Sequence, residues 1–269
     1  MLKKVTFLIL LLIIFSACSS KYQKLLKSTD NADKYEKSIK YYEDGDYYRA
    51  LQLFDQLMPI YRGTEKAKKI YYYYAYSYYG DDNYMLASYH FRNYALTFPK
   101  SDKTEECLFM SAYCKYLDSP DYNLDQTDTY QAIKQLQLFT DKYPKSKRIP
   151  ECNELIDKLR LKLETKNYQL AKLYFKTENY KAAIYSFNNL LKGYPDTKNK
   201  EKGLFYILKA NYLYASNSIE SKRQERYNST VKAYNTFISV FPLSLLKKEA
   251  ESIYNNSLKE INKLKTQNS

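Results

Sequence analysis

The feature that most constrains this chain is a turn that recurs five times. An aromatic residue is followed in four cases by Pro, then by any residue, then by Ser or Thr: Tyr61-Arg62-Gly63-Thr64, Phe98-Pro99-Lys100-Ser101, Tyr143-Pro144-Lys145-Ser146, Tyr194-Pro195-Asp196-Thr197 and Phe241-Pro242-Leu243-Ser244. Proline cannot continue a helix, and a hydroxyl after it caps the next one. Twelve residues before each Pro position stands a small side chain: Ala50, Ala87, Ala132, Ala183 and Thr230. Three residues before that is Tyr47, Tyr84, Tyr180 or Tyr227, with Thr129 as the exception. Four residues after it comes Phe54, Phe91, Leu136, Phe187 or Tyr234.

These spacings describe a pair of antiparallel helices, repeated. The small residue lets the two backbones approach, the aromatics fill the space beside it, and the turn starts the next pair. Upstream, Tyr71, Tyr74, Ala75 and Tyr78 give one first helix its packing face, and Asn167, Leu170, Ala171 and Tyr174 hold the corresponding places later. The pattern resembles the tetratricopeptide repeat. Its closing positions fall 37, 45, 51 and 47 residues apart, more than the usual ~34. The excess is expected in Ser119 to Asp128, in a long helix through Glu151 to Lys176, and in Ser216 to Arg226. Leu245 to Leu264 reads as a capping helix, apolar at Leu246, Ala250, Ile253, Leu258 and Ile261. The predicted fold is all-α: a right-handed superhelical solenoid of about five helix pairs with a C-terminal capping helix.

Composition agrees. With only 5 Gly and 7 Pro in 269 residues, long helices are favoured over a turn-rich β fold. The 33 Tyr suit a thin solenoid core, since tyrosine buries its ring and keeps its hydroxyl wet. The net charge of +13 is spread among mixed Lys and Glu, with no basic block or motif of a nucleic-acid binder.

The N-terminus reads as a secretion signal over residues 1–17. Lys3 and Lys4 precede an apolar run from Val5 to Phe15, and Ser16-Ala17 supplies small residues before a cleavage point. Phe15-Ser16-Ala17-Cys18 resembles the bacterial lipobox, which implies a lipid on Cys18; no other cofactor is expected. Residues 18–33 then form a lipidated tether, 34–148 repeats one to three, and 149–269 repeats four and five with the final helix. Ser19, rather than Asp, favours the outer membrane, and the absence of acidic residues before Asp30 favours its periplasmic face.

Cys107 and Cys114 lie seven apart on a predicted helix, about 10 Å along its axis, too far to bridge. Either could reach Cys152; buried free thiols are the expectation. One histidine, His90, and no CxxC argue against zinc. The lack of a Gly-rich phosphate loop or nucleophile elbow argues against an enzyme. The lack of Trp counts against a glycan binder.

A family resemblance rests on Tyr168-Gln169-Leu170-Ala171-Lys172-Leu173-Tyr174-Phe175, Tyr180-Lys181-Ala182-Ala183-Ile184 and Tyr194-Pro195-Asp196-Thr197, with Gly45-Asp46-Tyr47, Ala50 and Phe54 in the opening repeat. These stretches resemble the BamD-like outer-membrane assembly lipoproteins, over roughly Tyr35 to Pro242. The resemblance implies a non-catalytic periplasmic scaffold of the β-barrel assembly machinery. Its partners would be the barrel-forming subunit, docked on the C-terminal repeats, other assembly lipoproteins, and unfolded outer-membrane proteins at the N-terminal repeats. The acyl anchor would hold it to outer-membrane lipid. Another periplasmic repeat adaptor, in cell-envelope or division complexes, is the alternative. Arg62 departs from the repeat's proline and leaves the first turn's shape open. Inward positions of the first helices form an aromatic stripe: Tyr35, Tyr42, Tyr72, Tyr76 and Tyr79, extended by Phe109, Tyr113 and Tyr116. Tyr71-Tyr72-Tyr73-Tyr74 wraps the helix at 100° per residue, so some rings are expected to be exposed and to receive an extended peptide.

Overall fold

The computed structural model describes residues 21–267. The expected signal peptide and Cys18 lie outside them. After a helical stretch over 21–27 come eleven helices among the described residues, with no strand. They are α1 (Asn31–Glu43), α2 (Tyr47–Ile60), α3 (Glu65–Gly80), α4 (Tyr84–Thr97), α5 (Thr104–Leu117), α6 (Thr127–Lys142), α7 (Ile149–Lys176), α8 (Tyr180–Gly193), α9 (Lys200–Ser216), α10 (Glu220–Val240) and α11 (Lys247–Gln267). The fold is all-helical and built of successive helix pairs, as the spacing predicts. Among the described residues, no helix is long and apolar enough to cross a membrane.

Two kinds of turn alternate. Between the helices of a pair, the chain closes α1, α3 and α7 with the same left-handed cap. Gly45 (φ +76°), Asp82 (φ +55°) and Glu178 (φ +60°) occupy the same place, two residues before Tyr47, Tyr84 and Tyr180. In each, the next residue's amide reaches back to a carbonyl five earlier: Asp46 to Tyr41, Asn83 to Tyr78 and Asn179 to Tyr174. This satisfies helix-end carbonyls that would otherwise be orphaned. Between pairs, the aromatic–Pro–x–Ser/Thr turn closes with Ser101 and Ser146 amides on the Phe98 and Tyr143 carbonyls. The first such turn, which lacks proline, uses Gly63 at φ +82° instead.

The described residues divide into two compact units: those up to Pro120 together with Asp125–Ile156, and Asp121–Leu124 together with those from Asp157 onward. In the first, Ala50, Leu51, Phe54, Leu57, Ile70 and Tyr74 form one core cluster. In the second, Tyr168, Ala171, Tyr180, Ala183, Phe187, Leu190, Ile207 and Ala210 form another, and Phe205, Leu208, Phe237, Ala250 and Ile253 a third. All five small residues of the repeat, Ala50, Ala87, Ala132, Ala183 and Thr230, have no exposed surface. Ala87→Leu and Ala183→Leu should each destabilise by about 1–3 kcal/mol, because extra methylenes at a fully buried position push packed helices apart. Denaturant unfolding checks this; parent-like curves for both would place the helix contacts elsewhere.

Three readings of the sequence shift. On α7 it is Tyr168, not Leu170, that joins Ala171 on the packing face. Its ring meets Phe187 edge-on at 6.0 Å, while Leu170 is 40% exposed. The excess placed at Ser216 to Arg226 is mostly helix: the turn is only Asn217 to Ile219, and α10 is lengthened to 21 residues. The capping helix begins at Lys247, with Ala250, Ile253 and Ile261 buried. The three cysteines among the described residues, Cys107, Cys114 and Cys152, are buried and free. Burial pushes the Cys107 and Cys114 thiols up to about 12 and Cys152 to about 11, so none is a ready nucleophile at neutral pH.

Candidate peptide-binding face

In the N-terminal unit, tyrosines of α1 and α3 run ring to ring. Tyr42 meets Tyr73 at 4.8 Å, Tyr73 meets Tyr72 at 5.6 Å, Tyr72 meets Tyr76 at 4.7 Å and Tyr76 meets Tyr79 at 6.3 Å. Tyr35 pairs with Tyr61 at 5.8 Å, and the Lys66 ammonium sits 4.9 Å over its ring. On α5, Phe109, Tyr113 and Tyr116 stack at 5.8 and 5.9 Å. Burial first, and then the neighbouring Tyr113, raises the Tyr79 pKa.

Seven of the eight predicted stripe residues are half-buried, which leaves ring edges open to a ligand. Phe109 is the correction. It is 2% exposed, packed edge-on against Phe139 at 5.7 Å and covered by the Arg148 guanidinium at 4.1 Å. It supports the face from beneath and does not line it. Of the run Tyr71 to Tyr74, Tyr74 is buried and the other three are half-buried. Neighbouring pairs flank α3 on both sides, so Tyr71 meets Phe98 at 5.6 Å while Tyr73 packs against the α1–α2 core.

The centre of the face is a carboxylate that the stripe did not include. Glu106 Oε1 accepts hydrogen bonds from Tyr72 (2.7 Å) and Tyr76 (2.6 Å), and Oε2 accepts from Lys103 Nζ (3.1 Å). The sequence signal was present: Glu106 lies three residues before Phe109 and seven before Tyr113, on the same helical stripe. Burial pushes the Glu106 carboxyl up, but hydrogen bonds from Tyr76, Tyr72 and Lys103 outweigh it and hold it below its ordinary value of 4.5. Burial and the Glu106 bond raise both phenols, so they stay protonated donors. Beside them is a cleft of ≈ 350 Å³ lined by Tyr72, Tyr73 and Tyr94, by Lys68, Lys69 and Lys103, and by Glu65 and Asp102. Rigid rings with charged groups of both signs around them suit reversible binding of an extended chain.

A depressed carboxyl pKa stabilises the fold above its unfolded value, and that contribution is lost as pH falls through the folded value. The parent should therefore lose stability between about pH 5 and 3 more steeply than Glu106→Gln. Unfolding midpoints across that range test this; parallel curves would remove Glu106 from the network.

His90 is enclosed by Tyr74 (4.6 Å), Tyr78 (5.0 Å) and Tyr89 (5.0 Å), and burial lowers its pKa. Among the described residues, no cluster of metal-ligating side chains occurs.

Comparison with known proteins adds a family. Residues 27–226 match the model of YfiO, described as "Outer membrane lipoprotein". The chain is similar to the outer membrane protein assembly factor BamD of Caulobacter vibrioides, 26% identical over 138 residues, which is 51% of this chain and 44% of that protein. It is also similar to the putative outer membrane protein assembly factor BamD of Aquifex aeolicus, 27% identical over 226 residues, 81% of this chain and 71% of that one. The match thus spans less than half of the Caulobacter relative. Among solved structures, the TPR domain of P58(IPK) aligns over 92% of this chain and 68% of its own, at 11% identity and a TM-score of 0.41.

Proposed function

The chain belongs to the YfiO family of outer membrane lipoproteins, and from that membership we propose that it is a non-catalytic scaffold in the assembly of outer-membrane β-barrel proteins. It is anchored by a lipid on Cys18 and faces the periplasm. The half-buried tyrosine ladder of the N-terminal unit, centred on Glu106, receives extended segments of unfolded barrel proteins. The stretch from Tyr168 to Leu264, within the C-terminal unit, holds the barrel-forming subunit, and other assembly lipoproteins join the complex. No cofactor beyond the lipid and no nucleic acid takes part.

The single observation that carries the binding role is the fixing of Tyr72 and Tyr76 by one carboxylate at 2.7 and 2.6 Å. Rings held in place before a ligand arrives lose little entropy on binding. Alternating aromatic and apolar side chains of a barrel strand present the surfaces such rings bind. The experiment is the double variant Tyr72→Ala with Tyr76→Ala, checked for an intact fold by circular dichroism. Photo-crosslinking to a peptide from the last strand of a barrel protein should fall by about tenfold or more, the loss of two central aromatic contacts. Undiminished crosslinking in the folded variant would exclude this face.

A further inference from the structure

The two ends of the helix pairs in the N-terminal unit carry opposite charge. The turns within pairs read Asp44-Gly45-Asp46 and Asp81-Asp82-Asn83, and Asp118 and Asp125 flank the third; none of these turns contains Lys or Arg. The turns between pairs lie at the other end. They carry Arg62, then Lys100 and Lys103, then Lys145, Lys147 and Arg148, with Asp102 as their one acid.

Ordinary helix chemistry does not produce this split. Every turn of either kind joins one helix C-terminus to one N-terminus, so helix dipoles act alike at both ends. Capping accounts for Asp46, which accepts the Arg49 amide, and for Asp125, which accepts the Thr127 amide. Asp44 and Asp81 cap their helices through the backbone amide alone, which asks nothing of their carboxylates, and at the basic end the caps are the Ser101 and Ser146 hydroxyls. The ends are separated by helices of 14 to 16 residues, roughly 21–24 Å. That exceeds the ~8 Å screening length at physiological salt, so they act as separate patches.

Internal pairing offsets part of the basic end: Lys103 meets Glu106 at 3.1 Å and Arg148 meets Glu151 at 3.4 Å. Arg62, Lys100, Lys145 and Lys147 are exposed, and none of them is within ion-pair distance of a carboxylate among the described residues. A cleft of ≈ 550 Å³ opens along Lys142, Tyr143, Lys145, Lys147 and Arg148, with Glu105 as its one acid, which accepts a hydrogen bond from the Ser146 hydroxyl at 2.6 Å.

We propose that this basic end is a docking edge for an acidic segment of a partner protein. A protein partner is favoured over a membrane by the course of the N-terminus. Tyr22 meets Tyr41 at 5.5 Å and donates to the Arg49 carbonyl, which sets Lys21 near the α1–α2 turn at the acidic end, in a cleft that also holds Lys37, Lys40 and Asp44. Cys18 stands three residues before Lys21, within about 11 Å of extended chain. With the lipid on Cys18, a point that rests on the function proposed above, the bilayer lies at the acidic end and the basic end points away from it. Unpaired cations there steer an acidic chain and set which partner docks.

The test uses the full-length protein in detergent at low salt, with a fluorescein-labelled synthetic twelve-residue peptide alternating Glu and Ser as probe. Lys100→Glu with Lys145→Glu should weaken binding by about tenfold or more. Asp44→Lys with Asp81→Lys changes net charge by the same amount in the opposite direction, and should alter binding less than about twofold. Circular dichroism verifies both variants. Equal and opposite effects from the two pairs would reduce the result to net-charge attraction and overturn the edge. So would no effect of the lysine pair, or tighter binding of phosphatidylglycerol vesicles than of the peptide through the same lysines. The titration needs no anchor, so an unlipidated Cys18 would show in the mass of the mature chain and leave this result to stand or fall alone.

Discussion

Phe187→Ala should lower the stability of the C-terminal unit by about 3–5 kcal/mol, the range for deleting a fully buried aromatic ring. Phe187 has no exposed surface and lies four residues after Ala183, at the place the repeat reserves for a large side chain. Its ring stacks on Tyr206 at 5.2 Å and 2° and meets Tyr168 edge-on at 6.0 Å, so three helices close on it. Truncation leaves a cavity that rigid neighbours only partly fill. Tyr185→Ala is the control: two residues away, 69% exposed, and expected to change stability by no more than about 0.5 kcal/mol. Urea unfolding compares them. A loss below about 1 kcal/mol at Phe187 would mean that the repeat spacing does not mark the core.

Cys18→Ser should release the protein from membranes or leave it as an unprocessed precursor. Each buried acyl methylene contributes about 0.8 kcal/mol, so the several chains of a lipidated cysteine hold firmly, and losing them removes the anchor outright. No helix among the described residues can replace it as a span. Fractionation of cells expressing the variant reads the effect, and mass spectrometry of the parent's mature N-terminus reads the cause. An unmodified N-terminus beyond Cys18 would refute the lipid anchor.

The helix pairs were legible because their signals are local. A small residue twelve before the second position of each aromatic–x–x–Ser/Thr turn, which is Pro in four of five, fixes register within a single helix, and each of the five such residues is buried. The left-handed caps were only partly legible. Gly45 announces one, but Asp82 and Glu178 adopt the same conformation through their surroundings. The face was less legible still, because its outcome depends on which helices lie beside α3 and α5. Phe109 has the right spacing for a lining residue, yet Arg148, from the turn before α7, lies over its ring and closes it off. Glu106 shares the stripe, but nothing local in sequence marks its role, since that role comes from hydroxyls of Tyr72 and Tyr76, 34 and 30 residues away. Leu170 and Tyr168 exchanged places for a similar reason: both are apolar, and the ring of Phe187 on the partner helix selects between them.

The most direct test of the scaffold role is purification of the full chain, crosslinked in cells, from detergent-solubilised outer membranes, with partners identified by mass spectrometry. The expected result is recovery of a barrel-forming outer-membrane assembly subunit, with crosslinks falling between Tyr168 and Leu264. Recovery of the chain alone, or with cell-wall or division proteins in place of that subunit, would contradict it.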